Sequence, residues 1–207
     1  MQEPCHDIWS FARNAGLSLF IGLKPAARLF LLLLFCLLCL GNQHSIAQIL
    51  HPSDSESSVE FTINNFGSPV KGSFRGLKGN IVFDPANPTS GNMEVSVDAA
   101  TIETGINMRN RHLRGEKYFA AEQFPRLVIR SGSIRLGKDA GTFLMSALVT
   151  IKSTTRTIHL PFRVQPVRGG LLFEGSFQLN RRDFGVGGGS ISLSDEVIIR
   201  LKVLAKQ

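Results

Sequence analysis

Residues 109–125 contain the densest group of side chains that could do chemistry: four cations, one histidine and two adjacent aromatic residues. His112 and Glu116 are four residues apart, so on a helix they would lie on one face and could supply two metal ligands. A metal site requires a third or fourth ligand, and after residue 47 the only other histidines are His51 and His159. We therefore predict no metal site.

A second polar group surrounds Asp183, which directly follows Arg181 and Arg182. Two neighbouring cations keep a carboxylate ionised, so Asp183 would be a poor general acid, and we predict a structural ion pair instead. The glycines in residues 185–189 have no helical pattern behind them, which predicts a turn rather than a phosphate-binding loop. The sequence also lacks a Gly-x-Ser-x-Gly motif. These features predict no catalytic residues and no enzymatic activity.

The composition of the 207-residue chain is typical of one β-rich domain with a plain hydrocarbon interior. Phenylalanine occurs 15 times and glycine 20 times, whereas tyrosine and tryptophan occur once each. The formal net charge of +7 would suit anionic lipid, cell-wall polymer or nucleic acid. Because the cations are scattered and are not interleaved with stacking aromatics, we exclude nucleic acid as a partner. We therefore expect the cations to form a solvated basic face that makes at most peripheral contact with the cell envelope.

The first 47 residues have the pattern of a secretory signal peptide. Lys24 and Arg28 precede an apolar run of 12 residues, 29–40, and a small-x-small ending predicts cleavage after Ala47. An uncleaved anchor is the weaker interpretation, because about 20 apolar residues are needed to span a bilayer. Lipidation of Cys36 or Cys39 is weaker too, because a large residue precedes each. All three cysteines come before the predicted cleavage site, so we expect an exported, periplasmic or extracellular protein without disulfides.

The rest of the chain divides into a predicted linker and a predicted barrel. Residues 48–58 are polar and without periodicity, whereas residues 59–207 alternate apolar and polar residues in about eight stretches separated by turns. This pattern predicts an all-β domain, an up-and-down antiparallel barrel of eight strands, with a short helical segment around residues 107–123. Gly72, Gly76 and Gly79 predict bulges or bends, and Pro161 predicts an edge position or a bulge.

The same alternation predicts which side chains face the barrel interior. The predicted set is Phe61, Ile63, Phe74, Ile81, Phe83, Val95, Val97, Leu127, Ile129, Phe143, Met145, Val149, Leu160, Phe162, Phe173, Phe177, Ile199 and Leu201. An eight-stranded barrel can be filled by its own side chains or can enclose one small apolar ligand, and periodicity does not distinguish these cases. Both faces of the stretch 143–151 are largely apolar, so we expect residues 109–125 to cover its outer face.

Three blocks, in order over about residues 59–203, resemble the YceI-like family of secreted bacterial proteins. The first block comprises residues 61–67, 70–74 and 83–85. The second consists of Arg109, Asn110, His112, Leu113, Phe119, Phe124 and Pro125. The third, residues 180–186, is Asn-Arg-Arg-Asp-Phe-Gly-Val, in which Arg181 matches the arginine of the family. The chain departs from the pattern at Tyr118, where Phe is common, and at Ser153, which replaces a glycine.

This resemblance implies an extended lipocalin-like barrel without catalysis or a cofactor. Its lumen, lined by the predicted interior residues, would hold a long isoprenoid chain, such as that of an isoprenoid quinone, or a similar amphiphilic lipid. The motif residues expected at its rim are Arg109, His112, Leu113, Tyr118, Phe119, Arg181, Asp183 and Phe184. We expect residues 109–125 to close or gate the barrel beside residues 180–185. The alternative is a structural or interaction protein of the cell envelope with a filled barrel, and the oligomeric state, a dimer included, stays open.

Overall fold

Nine antiparallel strands in chain order make up most of the computed structural model, which describes residues 48–207. The strands are β1 (Ile49–Pro52), β2 (Ser58–Asn65), β3 (Ser68–Val82), β4 (Asn92–Glu103), β5 (Arg126–Leu136), β6 (Thr142–Ile151), β7 (Thr154–Val167), β8 (Gly170–Asn180) and β9 (Leu193–Lys206). From β2 to β9 each strand pairs with the next, and β2 also pairs with β9, for example at Phe61 and Ile199. The predicted eight-stranded antiparallel barrel is confirmed. The predicted signal peptide lies outside the described residues.

The predicted linker at residues 48–58 is replaced by structured elements. Strand β1 joins the edges of two barrel strands, because Leu50 pairs with Ile81 on β3 and Pro52 pairs with Ala205 on β9. A 3-10 helix, Asp54–Glu56, follows. The prediction was wrong because a four-residue strand is too short to show alternation, and its backbone pairing does not depend on side-chain pattern.

The glycines of β3 bend the strand as predicted. The pairing of β3 with β4 shifts register between Arg75 and Lys78, and Gly76 between them has a φ of 70°. At Gly79 a side chain would overlap the backbone of Glu94 on β4. Bulges and close backbone approaches of this kind are how a sheet curls into a closed barrel.

The helical segment is shorter than predicted. Helix α1 spans Asn107–Arg114 and ends at Gly115, whose amide donates a hydrogen bond to the His112 carbonyl. The following residues to Pro125 form turns, and Ala120 adopts a φ of 45° that an α-helix does not contain. The cationic and aromatic halves of this segment therefore belong to different local structures.

Helix α1 packs against β4 and does not cover the outer face of β6, contrary to expectation. Leu148 on that face is 40% exposed. The prediction for Pro161 is confirmed, because the β7–β8 ladder starts one residue later, at Phe162 and Gly175. Within residues 48–207 we find no helix long and apolar enough to cross a membrane.

Phenylalanine rings fill one end of the barrel. Phe83, Phe143, Phe162 and Phe173 form an edge-to-face and stacked cluster with ring centroids between 5.0 and 6.3 Å apart. All four side chains are buried. We refer to this end as the closed end.

Candidate functional site

A cavity of about 370 Å³ lies at the opposite end of the barrel. We refer to this end as the barrel mouth, which is bordered by the β2–β3 turn, α1 and the loop 185–192. Most of the cavity wall is apolar. Strand β2 contributes Phe61, β3 contributes Phe74 and β9 contributes Ile199. Leu113 of α1 and Phe119 of the turn that follows it complete the wall at the mouth.

Two smaller apolar cavities, of about 80 and 60 Å³, continue the first cavity toward the closed end. The mouth cavity and the middle cavity share wall residues such as Phe61, Leu127 and Ile199. The middle cavity and the innermost cavity share Val95 and Leu201, among others. The barrel is therefore hollow at the mouth, narrows along its axis and is filled by the phenylalanine cluster at the closed end.

The predicted interior residues occupy these cavities almost without exception. The mouth cavity contains Phe61, Ile63, Phe74, Leu127 and Ile199 in its wall. The two inner cavities contain Ile81, Val95, Val97, Ile129, Met145, Val149, Leu160, Phe162, Phe173, Phe177 and Leu201. The remaining two, Phe83 and Phe143, belong to the closed-end cluster.

Several residues of the mouth cavity were not among the predicted lumen residues. Ile151, Leu179 and Val197 lie in the inward phase of their strands, so alternation could have identified them. Val186 and Leu193 also contact the cavity, but they belong to or border an irregular glycine-rich loop. Periodicity provides no signal for residues in such a loop.

Polar side chains lie in the wall at the mouth. The Arg109 guanidinium donates to the Thr104 hydroxyl at 2.7 Å and to the Thr104 carbonyl at 2.5 Å, which fixes a cation beside the opening. His112 is solvent-exposed, and its ring meets the edge of the Tyr118 ring at a centroid distance of 5.0 Å. These three motif residues occupy the expected rim of the cavity.

Asn110 attaches α1 to the end of β4. Its side chain is buried; its Oδ1 accepts hydrogen bonds from the Thr104 amide at 2.9 Å and the Thr104 hydroxyl at 2.6 Å. Its Nδ2 donates to Oε1 of Glu103 at 2.8 Å. This bond, together with the amides of Gly105 and Thr104, holds the pKa of Glu103 below its ordinary value.

Arg181 organises the loop on the other side of the mouth. Its guanidinium is only 4% exposed and donates to the carbonyls of Ser194, Val186 and Gly188, each at 2.9 Å. It also forms an ion pair with Asp195 at 2.8 Å. A buried arginine with this many backbone acceptors fixes the path of the chain around it.

The predicted ion pair of Asp183 is corrected by the structure. Asp195, at the start of β9, pairs with both Arg181 and Arg182. Asp183 lies on the 3-10 helix Arg181–Phe184 with its side chain exposed, whereas Phe184 is buried. Adjacent residues on a tight helical turn point in different directions, so sequence proximity to the arginines did not predict contact.

Residues 109–125 lie beside the segment that begins at Asn180, as predicted, but the direct backbone bond is made by Gly187, two residues beyond the predicted range 180–185. The Gly187 amide donates to the Lys117 carbonyl at 2.8 Å. Lys152 donates to the carbonyls of Glu116 at 3.3 Å and Gly185 at 3.1 Å. These bonds join the segments into one border of the mouth cavity.

No cluster of three or more potential metal ligands is found among residues 48–207. Because α1 ends at Arg114, Glu116 lies beyond the helix, and the helical face that would have placed it beside His112 is not formed. The mouth therefore combines two fixed cations, Arg109 and the ion-paired Arg181, with aromatic edges and an apolar interior. This arrangement suits binding of an amphiphile.

An antiparallel barrel with an apolar cavity open at one end has the architecture of barrels that can enclose a small apolar ligand. The model of the YceI-like domain matches residues 51–205, so the chain belongs to the YceI-like family. Similar proteins include the UPF0312 protein of Shewanella oneidensis, 26% identical over 145 residues, which are 67% of this chain and 75% of the relative. The UPF0312 protein of Yersinia pestis is 25% identical over 154 residues, 70% of this chain and 78% of that relative.

Solved structures have the same fold. BcnA of Burkholderia cenocepacia has a TM-score of 0.71 and 24% identity, covering 75% of this chain and 99% of BcnA. The YceI protein of Campylobacter jejuni has a TM-score of 0.61 and 25% identity, covering 68% of this chain and 86% of that protein. A polyisoprenoid binding domain from Saccharophagus degradans has a TM-score of 0.62 and 14% identity, covering 76% of this chain and 97% of that domain. The predicted family and fold are confirmed.

Proposed function

We propose that this protein binds and carries a long-chain isoprenoid or similar amphiphilic lipid, such as an isoprenoid quinone, inside the barrel. The observation that carries the proposal is the series of three apolar cavities leading from the polar mouth to the phenylalanine cluster. A narrow tapering space suits an extended chain better than a compact ligand. The solved polyisoprenoid binding domain with the same fold supports this ligand class.

Hydrocarbon burial would supply the affinity. Each Å² of apolar surface removed from water contributes about 25 cal/mol, and the wall offers aliphatic and phenyl side chains along its length. The head of the amphiphile would remain at the mouth, where Arg109 can attract a carbonyl or an anionic group. Tyr118 adds a phenol at the same opening.

Binding without catalysis is the activity that this site supports. No Asp or Glu lies among the residues that line the mouth cavity, so no carboxylate is placed to act as an acid or a base on a chain bound there. We further propose export to the periplasm or the cell exterior, on the basis of the leader-like pattern in residues 1–47. The N-terminal sequence of the protein recovered from cell fractions tests export independently of binding.

Native mass spectrometry of the protein purified from the cells that produce it tests the proposal. We expect the wild-type protein to retain a lipid adduct that organic extraction removes. Ile199→Trp would fill the junction that the mouth and middle cavities share, so the adduct should be lost or shortened.

Ile198→Trp is the matched control, because the neighbouring residue on β9 faces the opposite side of the sheet. The control should retain the wild-type adduct. An adduct-free wild-type protein that takes up neither isoprenoid quinones nor fatty acids would contradict the proposal and favour the filled-barrel alternative.

A further inference from the structure

Large apolar side chains around the barrel mouth are exposed to solvent. They are Phe66 in the β2–β3 turn, Ile106 and Met108 at the start of α1, and Ile191 in the loop 185–192. Phe66 is 83% exposed, Met108 is 72% exposed and Ile191 is fully exposed. Folded proteins expose single apolar residues routinely, but exposed apolar residues collected around one opening indicate an interaction surface.

Three of these side chains, Phe66, Met108 and Ile191, are adjacent in sequence to a wall residue of the mouth cavity, and Ile106 is two residues from the wall residue Thr104. Asn65 precedes Phe66, and Ser190 and Ser192 flank Ile191. The Phe66 amide donates to the Ser192 carbonyl at 2.8 Å, so the first turn and the loop are joined. These four side chains therefore surround the entrance to the cavity, whereas the other exposed large apolar residues of the described chain, Ile49, Leu136, Leu148 and Val167, lie apart from it.

The conformation of Phe66 is unfavourable for its residue type. Phe66 and Gly67 form the two-residue connection between β2 and β3, with φ values of 49° and 76°. Such a turn favours Asn-Gly, and a bulky residue at positive φ is disfavoured. Because the Phe66 ring is largely exposed, packing against the barrel does not offset the cost of this backbone conformation. A backbone cost of this kind at an exposed aromatic residue indicates a role outside the folded chain.

The charge beside the exposed group is positive. Helix α1 carries Arg109, Arg111 and Arg114 and no acidic residue. From Glu103 to Lys117 four Lys and Arg residues outnumber two carboxylates, and the Glu103 carboxylate is bonded to Asn110. Arg111 and Met108 are both exposed and are three residues apart on α1, so they lie on the same side of the helix. Exposed apolar residues next to cations are the pattern of a surface that enters the interface of an anionic bilayer.

We infer that the barrel mouth is a membrane-docking surface for a bilayer that contains anionic phospholipid. Phe66, Ile191, Ile106 and Met108 enter the headgroup region, while Arg111 contacts lipid phosphate. These four apolar side chains lie on three separate segments around the opening. A fluid lipid interface can accommodate such an uneven arrangement. In this orientation the cavity opens toward the membrane, so an apolar chain can pass between the two with little exposure to water. Docking goes beyond the proposed function and does not require a loaded cavity.

Vesicle co-sedimentation tests this surface with the purified protein. We expect binding to vesicles of phosphatidylcholine mixed equally with phosphatidylglycerol, and much weaker binding to phosphatidylcholine alone. The double variant Phe66→Asn, Ile191→Ser should lose at least about tenfold in affinity for the mixed vesicles. Since Asn is favoured at the first turn position, this variant should keep or increase the stability of the fold.

The matched control changes exposed apolar residues at the closed end. Leu136→Ser combined with Val167→Ser removes two exposed aliphatic side chains from the hairpins at that end and should leave vesicle binding unchanged. Arg111→Gln should weaken binding at low salt, and the difference from wild type should shrink as salt screens the charge. Phe66→Trp should show a blue-shifted emission with mixed vesicles and quenching by brominated phospholipid.

Three outcomes would overturn the inference. The wild-type protein could fail to sediment with anionic vesicles, or the mouth and closed-end double variants could bind them equally. The third is that the mouth variant converts a dimer into a monomer but binds vesicles like wild type, which would assign the surface to a second copy of the chain. Native mass spectrometry of the same samples separates the two proposals, because a wild-type protein that retains its lipid adduct but does not sediment with the mixed vesicles contradicts docking alone.

Discussion

The ring of Phe119 meets the ring of Phe74 edge to face, with centroids 5.5 Å apart and an interplanar angle of 81°. Phe74 is a buried residue of β3 and borders both the mouth cavity and the middle cavity. Phe119 belongs to the turn after α1 and borders the mouth cavity. This aromatic pair therefore attaches the segment beside the mouth to the barrel wall, at the point where a bound chain would enter the narrower part.

Phe119→Ala should reduce the free energy of unfolding by about 2 kcal/mol, less than for a fully buried phenylalanine because the side chain is only partly buried. It should also enlarge the mouth and speed the release of a bound chain. Denaturant titration measures the first effect, and exchange of a fluorescent fatty acid measures the second. Phe119→Leu, which keeps most of the apolar volume, should have the smaller effect on both, and wild-type stability in the alanine variant would refute the assigned role.

Gly187→Ala should disturb the contact between the two mouth segments. Gly187 has a φ of 69°, and a Cβ there would lie 2.9 Å from Arg181 Nη1 and 2.9 Å from Tyr118 Cε1. We expect a loss of about 1–3 kcal/mol, from the positive φ and the overpacking together. At Gly188 a Cβ has open space within 4 Å, so Gly188→Ala is the matched control and should be close to wild type in thermal unfolding. Equal melting temperatures for both variants would contradict the close packing at Gly187.

The strands and their inward faces could be predicted from the sequence, because alternation with period two reports directly on burial in a sheet. Phe61, Phe74 and Phe177 follow that rule and face the cavities. The existence of the cavities could not be predicted, because a hollow barrel and a filled barrel place the same residue types inward. Only the three-dimensional spacing separates Ile199, beside open space, from Phe143, in a closed cluster.

Contacts between irregular segments were the least predictable feature. The partner of Arg181 is Asp195, which is 14 residues away in the chain, whereas the nearby Asp183 points to solvent. Strand β1 was missed because backbone pairing to Ile81 and Ala205 produces no pattern in a four-residue segment. The early end of α1 falls at Gly115, which adopts extended backbone, and glycine is a poor helix former, so this boundary could have been predicted.

Arg181→Lys should be strongly destabilising although it conserves the charge. One ammonium group cannot replace a planar guanidinium that donates to the carbonyls of Ser194, Val186 and Gly188 and to Asp195. We expect a loss of about 3 kcal/mol or more, because buried acceptors are left unpaired. Arg182→Lys is the matched control: its side chain is 56% exposed, and its ion pair with Asp195 should contribute about 0.5 kcal/mol or less. Urea titrations in which the two variants unfold at the same midpoint would exclude the organising role of Arg181.

Glu103 should make the attachment of α1 pH-dependent. Its folded-state pKa is lowered by the bond from Asn110, so its contribution to stability is complete above the unfolded-state pKa of about 4.3 and is lost as pH falls through the folded pKa. Glu103→Gln should therefore be less stable than wild type at neutral pH, and the difference should vanish in acid. The pKa values of Glu56 and Glu94 are lowered too, but both residues remain in each protein and cancel in the comparison. Glu122→Gln, on an exposed turn of the same segment, controls for the change in net charge. A stability difference between wild type and Glu103→Gln that grows on acidification would contradict the prediction.

The phenylalanine cluster should limit the length of chain that the barrel accepts. Phe162 and Phe173 belong to the cluster and also border the innermost cavity, so they form the boundary between hollow and filled barrel. Phe162→Leu should cost about 1–2 kcal/mol of stability and deepen that cavity. In native mass spectrometry with a mixture of saturated fatty acids, the bound population should shift toward longer chains. Phe83→Leu, in the cluster but outside the cavity walls, should cost similar stability without the same shift. If both variants select the wild-type chain lengths, the chain stops before the cluster, and the narrow middle cavity sets the limit instead.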